Sequence, residues 1–408
     1  MGGTNGLSRR EFTTIGLGLG LVLVGCSGEG STGGSGKELV IGASLPLTGQ
    51  FSQPGQEAER GYRIWREMVN ADGGILGRQV QLKITDDASS QDTAVADYTR
   101  LITQDRVDFL LGTFSSLLNY PASAVAERQG MVFVEPAGGA ENIFTRGFDR
   151  LFFAQPALSA DQANTFVDWV KSLPEAERPA SAAYTTQDDP FTRPVIERLQ
   201  DLLEDLGIKT VYTSVYPAET TNMQPIAAAI AGRKPELLAH GAVFQDGVGL
   251  VRALKQQNFS PKALFQMSAP SNAGQYSKGV GEANTEGVFY SVSWHESAPT
   301  PLNKEFVAAY AKEYDNAVPA EDAADAFAAA QVLRAGIEGA DGTDQDKVAQ
   351  WLHGNEVETI LGPLKWDKRG APLGSFLLAQ WQSGKVQIVS PEEAATAEKA
   401  IYPKPGWS

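Results

Sequence analysis

The chain has 408 residues, 42% of them hydrophobic and 20% charged, with a formal net charge of −15. This is a globular composition long enough for two domains, and its acidity excludes nucleic acid as a natural partner. One cysteine, Cys26, excludes an internal disulfide and zinc sites of four cysteines or of two cysteines with two histidines, and His240, His295 and His353 form no HxxxH or HxH pair. Neither a metal nor a cofactor is expected.

The N-terminus reads as an address. Ser8-Arg9-Arg10-Glu11-Phe12-Thr13 resembles a twin-arginine export signal. The apolar stretch Thr14 to Val24 has 11 residues, about half of what crosses a bilayer, so it reads as the core of a signal peptide. It ends in Leu23-Val24-Gly25-Cys26, which resembles a lipobox. The expectation is a signal peptide over residues 1–25 and a lipid on the thiol of Cys26. Residues 26–36 form a Gly/Ser-rich tether of about 18 Å, which holds the rest of the protein on the extracytoplasmic face of the membrane. The run Gly16-Leu17-Gly18-Leu19-Gly20 follows no strand and is not a dinucleotide fingerprint.

From Leu39 onward, short apolar runs alternate with amphipathic stretches. Strands are predicted over Leu39–Ala43, Gln79–Asp86, Val107–Leu111 and Met131–Val134, with helices over Pro54–Asn70, Asp92–Gln104 and Tyr120–Gln129. A second series follows. Its strands are Ala180–Tyr184, Val211–Tyr216, Leu237–Val243 and Ala263–Met267, and its helices Thr192–Leu206, Gln224–Ala231 and Val248–Gln257. Helices are then predicted over Leu302–Tyr314 and Asp322–Ile337, the second holding an alanine-rich run that suits close helix packing. Strands alternating with helices mean βαβ units and parallel sheets, and so an α/β fold with two Rossmann-like doubly wound units.

The chain also resembles the branched-chain amino acid type of periplasmic binding protein, the leucine/isoleucine/valine-binding family. The resemblance rests on Ile41-Gly42-Ala43-Ser44-Leu45-Pro46-Leu47-Thr48-Gly49, Asn70-Ala71-Asp72-Gly73-Gly74-Ile75-Leu76-Gly77-Arg78, Asp86-Asp87, Leu111-Gly112-Thr113-Phe114-Ser115-Ser116, Pro121-Ala122 and Leu361-Gly362-Pro363-Leu364-Lys365-Trp366-Asp367-Lys368-Arg369-Gly370, in that order. It implies a type I periplasmic binding fold, with two lobes joined by three crossings and closing over a small organic ligand that passes to the permease subunits of an ABC transporter. The expected lobes are residues 37–154 with 289–375, and 155–288 with 376–408. The chain is expected to be monomeric.

The resemblance also implies the cleft residues. Ser115 and Ser116 lie where the family holds a ligand carboxylate, a placement that suits hydroxyls and free N–H groups at a helix start. Ala137, Gly138 and Gly139 form the second carboxylate loop, with Gly139 where the family's amino acid binders usually have threonine. Phe51 falls at a ligand-flanking aromatic position. The facing lobe supplies Asp189, Pro190 and Phe191, then Phe244 and Gln245. The family's amine-binding glutamate falls near Ser268, where no acid stands. Asp189, Asp246 and Asp322 are the nearest alternatives, and Asp322 opens a helix, where an acid also complements the dipole. The ligand is therefore amino acid-like, an amide, or an aromatic or aliphatic carboxylate, and one lacking an α-ammonium is expected to bind better than leucine. A ligand sensor on the same fold is the alternative function. No GxSxG, P-loop or HExxH motif speaks for an enzyme.

Overall fold

The computed structural model describes residues 37–408. The signal, Cys26 and the tether lie outside the described residues. The first lobe opens with β1 (Leu39–Leu45), α1 (Ser52–Ala71), β2 (Val80–Asp86), α2 (Gln91–Thr103), β3 (Phe109–Leu111), α3 (Ser116–Arg128), β4 (Phe133–Glu135), α4 (Glu141–Phe144) and β5 (Leu151–Phe153). The second begins with α5 (Gln162–Ser172), β6 (Ser181–Gln187), α6 (Thr192–Glu204), β7 (Lys209–Tyr216) and α7 (Gln224–Arg233). It continues through β8 (Leu237–Gly241), α8 (Gln245–Gln256), β9 (Ala263–Gln266), α9 (Ala273–Val280) and β10 (Val288–Val292). The chain then returns to the first lobe with α10 (Asn303–Glu313), α11 (Glu321–Gly339), α12 (Gln345–Gly354) and the hairpin of β11 (Val357–Thr359) and β12 (Gly362–Leu364). It closes on the second lobe with β13 (Leu377–Gln382) and β14 (Lys385–Ser390).

Both doubly wound units expected from the sequence are present. The first sheet runs β2-β1-β3-β4-β5, all parallel. The second runs β14-β13-β10-β9-β8-β6-β7, parallel from β7 to β10 and antiparallel at β13 and β14. Central strands such as β1 and β8 are buried along almost their whole length because helices cover both faces. In the first lobe α1 lies along α11 at very short range: a Cβ on Gly61 would stand 2.0 Å from the carbonyl oxygen of Ala323. That approach explains the alanine-rich start of α11. It also buries Tyr62, Trp65 and Phe327 in one core, each worth about 1.5–3 kcal/mol.

The chain crosses between the lobes after β5, after β10 and before β13. The expected boundary at 288/289 needs correction. β10 pairs with β9 and β13 in the second sheet, so the second crossing begins only after Val292. Helix α3 starts at Ser116, four residues before the predicted start, because the side chain of Ser115 caps it upstream of Pro121.

Candidate functional site

A cavity of about 600 Å³ lies between the lobes, where the carboxyl ends of the parallel strands of both sheets meet. Loops gather at such strand ends, which makes them the usual place for a ligand. On the first lobe, β3 runs into Gly112-Thr113-Phe114-Ser115. The Thr113 hydroxyl donates to Asp87 at 2.8 Å. Asn119 accepts from the Thr113 N–H at 3.1 Å and donates to the carbonyls of Thr113 and Ser115 at 2.8 and 3.1 Å. This frame holds Ser115 at φ +73°, ψ 148°, a region that costs a non-glycine residue about 1–3 kcal/mol. Its Oγ accepts from the Leu118 N–H at 3.3 Å. A parallel bridge joins Phe114 to Ala137, so the loops after β3 and β4 enter the cavity together. The N-terminus of α3 at this point favours an anionic group.

The opposite electrostatics come from α11. Asp325 accepts from the Ser293 hydroxyl at 2.6 Å and from Gln155 Nε2 at 2.8 Å. Ser293 follows β10 and Gln155 follows β5, so one carboxyl group fastens two crossings. Glu321 accepts from the backbone N–H of Ser293, and its Oε1 lies 2.8 Å from the same Ser293 hydroxyl oxygen, whose one hydrogen can serve only one of the two acids. The third crossing is tied to the first by Trp366, whose Nε1–H donates to the Phe153 carbonyl at 2.7 Å. Asp322 faces the cavity and has no hydrogen-bond partner among the described residues.

Burial, and then the charges of Glu321 and Glu57, push the Asp322 carboxyl up to about 8. Burial also raises Glu321 and Asp325, and Asp325 further through the two neighbouring acids. Asp189, on the second lobe, is raised by burial although it accepts from the N–H groups of Phe191 and Thr192 at the start of α6. Four carboxyl groups thus line a cavity that no Lys, Arg or His lines among the described residues. Carboxyls crowded out of water stay protonated until a cation arrives to pair with them.

The sequence model of periplasmic binding proteins matches residues 38–385. The chain belongs to the periplasmic binding protein family. It is an extracytoplasmic solute-binding protein that captures a small organic molecule for an ABC importer. A curated relative, Leu/Ile/Val-binding protein homolog 7 of Brucella suis biovar 1, is 25% identical over 375 residues, covering 88% of this chain and 93% of its own. The isoleucine complex of a branched-chain amino acid transporter substrate-binding protein from Streptococcus pneumoniae superposes with a TM-score of 0.76 at 17% identity, covering 90% of this chain and 100% of that one. A benzoate complex of an ABC transporter solute-binding protein from R. palustris superposes at 0.77 with 20% identity, covering 89% and 99%. These two likenesses concern the fold.

In this binding protein Ser115, Ala137, Asp189, Phe191, Ser268 and Asp322, all singled out in the sequence, line the cavity together. Others do not. Ser116 is buried, and its Oγ accepts from the Ala140 N–H at 3.1 Å, which braces the neighbouring loop. Phe51 backs Phe114 with ring centroids 5.8 Å apart. Gly138 covers the carboxyl group of Glu135, since a Cβ there would lie 1.8 Å from Glu135 Oε2. Glu135 is itself buried with both oxygens unpartnered, and burial holds it protonated. A Cβ on Gly139 would stand 3.1 Å from the Phe153 ring and from the Ser159 nitrogen, so a threonine there would press on both. Pro190 is not among the lining residues although Asp189 and Phe191 on either side are, Phe244 borders a smaller neighbouring recess, and Gln245 is exposed at the start of α8.

The sequence reading missed Glu321, Asp325, Gln155, Ser291 and Phe376. Acids at the start of α11 were the available signal, but only Asp322 was weighed. No acid stands near Ser268, and of the alternatives expected from the sequence Asp189 and Asp322 line the cavity while Asp246 does not.

Proposed function

We propose that the ligand delivered to the importer is amino acid-like, with a protonated amine that pairs with Asp322 and an anionic end at the α3 turn beside Ser115. Phe114, Phe153, Phe191 and Phe376 receive its apolar body. The observation that carries this reading is Asp322: a carboxyl group facing the interlobe cavity, without a donor and without a lining cation among the described residues, its pKa raised to about 8. An aromatic carboxylate without an amine would bring a fifth acid into this setting, which costs several kcal/mol unless a proton is also bound. The protein works as a lipid-anchored monomer that binds and releases its ligand unchanged. Leucine and 4-methylpentanoate differ by the amine alone. Calorimetry should show leucine binding at least about 30-fold tighter, a difference of about 2 kcal/mol for one buried charge-assisted contact. Equal affinities, or tighter binding of 4-methylpentanoate, would refute the reading. Cys26→Ala should move the protein from the membrane to the soluble fraction, and unchanged membrane association would refute the anchor.

A further inference from the structure

A second and larger space adjoins the first. It spans about 1430 Å³, open solvent included, on the other side of β10. Strand alternation explains the arrangement: Ser291 points into the inner cavity, while Tyr290 and Val292 point into the outer one. The outer wall is mainly apolar and aromatic, with Trp294, Trp381 and Val386 beside Tyr290. The charged groups, Lys278, Lys385, Glu282 and Glu296, are exposed at its rim. Both lobes contribute, since Val318, Pro319 and Glu321 lie at or just before the start of α11 while residues of α9, β10 and the β13–β14 pair form the opposite wall.

The two spaces meet at one pair of side chains, because Ser271 and Glu321 belong to both linings. Ser293 holds the Glu321 carboxyl group on one side of this junction. Ser271 is small and turned back onto the Ser268 carbonyl at 2.8 Å. The partition between the two spaces is thus a hydroxymethyl group and a tethered carboxyl group, with the Ser271 hydroxyl within reach of Glu321.

We propose that the outer space is a subsite for an apolar tail, so that the ligand is an elongated amine-bearing molecule whose polar head lies at Asp322 and Ser115 and whose tail displaces the Ser271 side chain from Glu321 to reach the faces of Tyr290, Trp294 and Trp381. This rests on the amine reading above and adds the length and character of the ligand. Such a site favours a long unbranched or aromatic side chain over a compact one, because each methylene taken from water into an apolar lining adds about fourfold to affinity.

The test is calorimetric titration of the full chain with straight-chain α-amino acids from 2-aminobutanoate to 2-aminodecanoate. Affinity should rise about fourfold per methylene once the side chain reaches Ser271. Gly274 lies on the outer wall, and a Cβ there meets nothing within 4 Å, so Gly274→Phe fills the space without displacing backbone. That variant should erase the gain of the long members and leave 2-aminobutanoate unchanged. Ser277→Phe, one turn along the same face of α9, should do the same. Long members that bind no better than 2-aminobutanoate, or a gain that survives both variants, would overturn the subsite while leaving the amine reading intact. Failure of every member, short and long, would overturn the amine reading and the subsite with it.

Discussion

Two clusters of polar groups sit on opposite lobes, one around strand ends and one in the first turns of α11, and they are built on opposite terms. In the second lobe, Tyr276 donates to Gln266 at 2.5 Å, and Gln266 Nε2 meets His240 Nδ1 at 3.0 Å. His240 Nε2 lies 2.7 Å from the Tyr216 hydroxyl, which donates to Asp246 at 2.6 Å. Asp246 also accepts from the N–H groups of Val243 and Gly247 at 3.1 and 3.0 Å. Every member has a partner, and the order of donors fits a neutral His240 protonated on Nε2, consistent with burial lowering its pKa to about 3. In the first lobe, Glu321, Asp322 and Asp325 carry one sign of charge and too few donors. A satisfied network specifies a fold, whereas an unsatisfied one beside a cavity is waiting for a ligand.

The contrast breaks first at Tyr216. Tyr216→Phe strips His240 and Asp246 of a shared partner and should cost about 2–3 kcal/mol of stability, read by urea unfolding, with little change in ligand affinity of the folded protein. A large loss of affinity without loss of stability would mean that this network belongs to the site.

Next is pH. Asp322 and Asp87 hold protons in the fold up to about 8 and about 6, well above the pH at which the unfolded chain releases them. Burial is the larger cause in both. More protons are bound folded than unfolded across this interval, so their contribution to stability is complete in acid and is lost as pH rises from about 4 to about 8. The melting temperature of the ligand-free protein should therefore fall several degrees more between pH 5 and 8 than that of Asp322→Asn. Parallel curves for the two proteins would deny Asp322 its raised pKa.

The smallest effect is expected at Ser115. Glycine adopts its φ of +73° without strain and loses only part of the cap. Ser115→Gly should thus raise stability by about 1 kcal/mol while weakening the ligand through the lost hydroxyl. A destabilised variant with unchanged affinity would make Ser115 a cap alone.

The sequence made the fold legible where patterns are local. Strands such as β1 and β8 announce themselves as mostly apolar runs, and α1 and α6 by their spacing. β5 has three residues and α4 four, too short for a period to show. The site was readable where a motif marks a turn, as at Ser115, or where an acid opens a helix, as at Asp322. Gln155, Ser291, Ser293 and Phe376 could not be found that way, because they come from strand ends and crossings far apart in the chain and acquire their roles only when the lobes meet. Glu321 and Asp325 look in sequence like ordinary complements of a helix dipole, and only the cavity beside them reveals that they are crowded.

The central claim is that Asp322 gives up its proton to pair with a cationic ligand group. At pH 7 most Asp322 carboxyls are protonated, given a pKa of about 8. Titration with leucine in two buffers of different ionisation enthalpy measures the protons exchanged. The account predicts release of about one proton per ligand bound, abolished in Asp322→Asn together with most of the affinity. Binding without proton release, at an affinity that Asp322→Asn leaves unchanged, would contradict it.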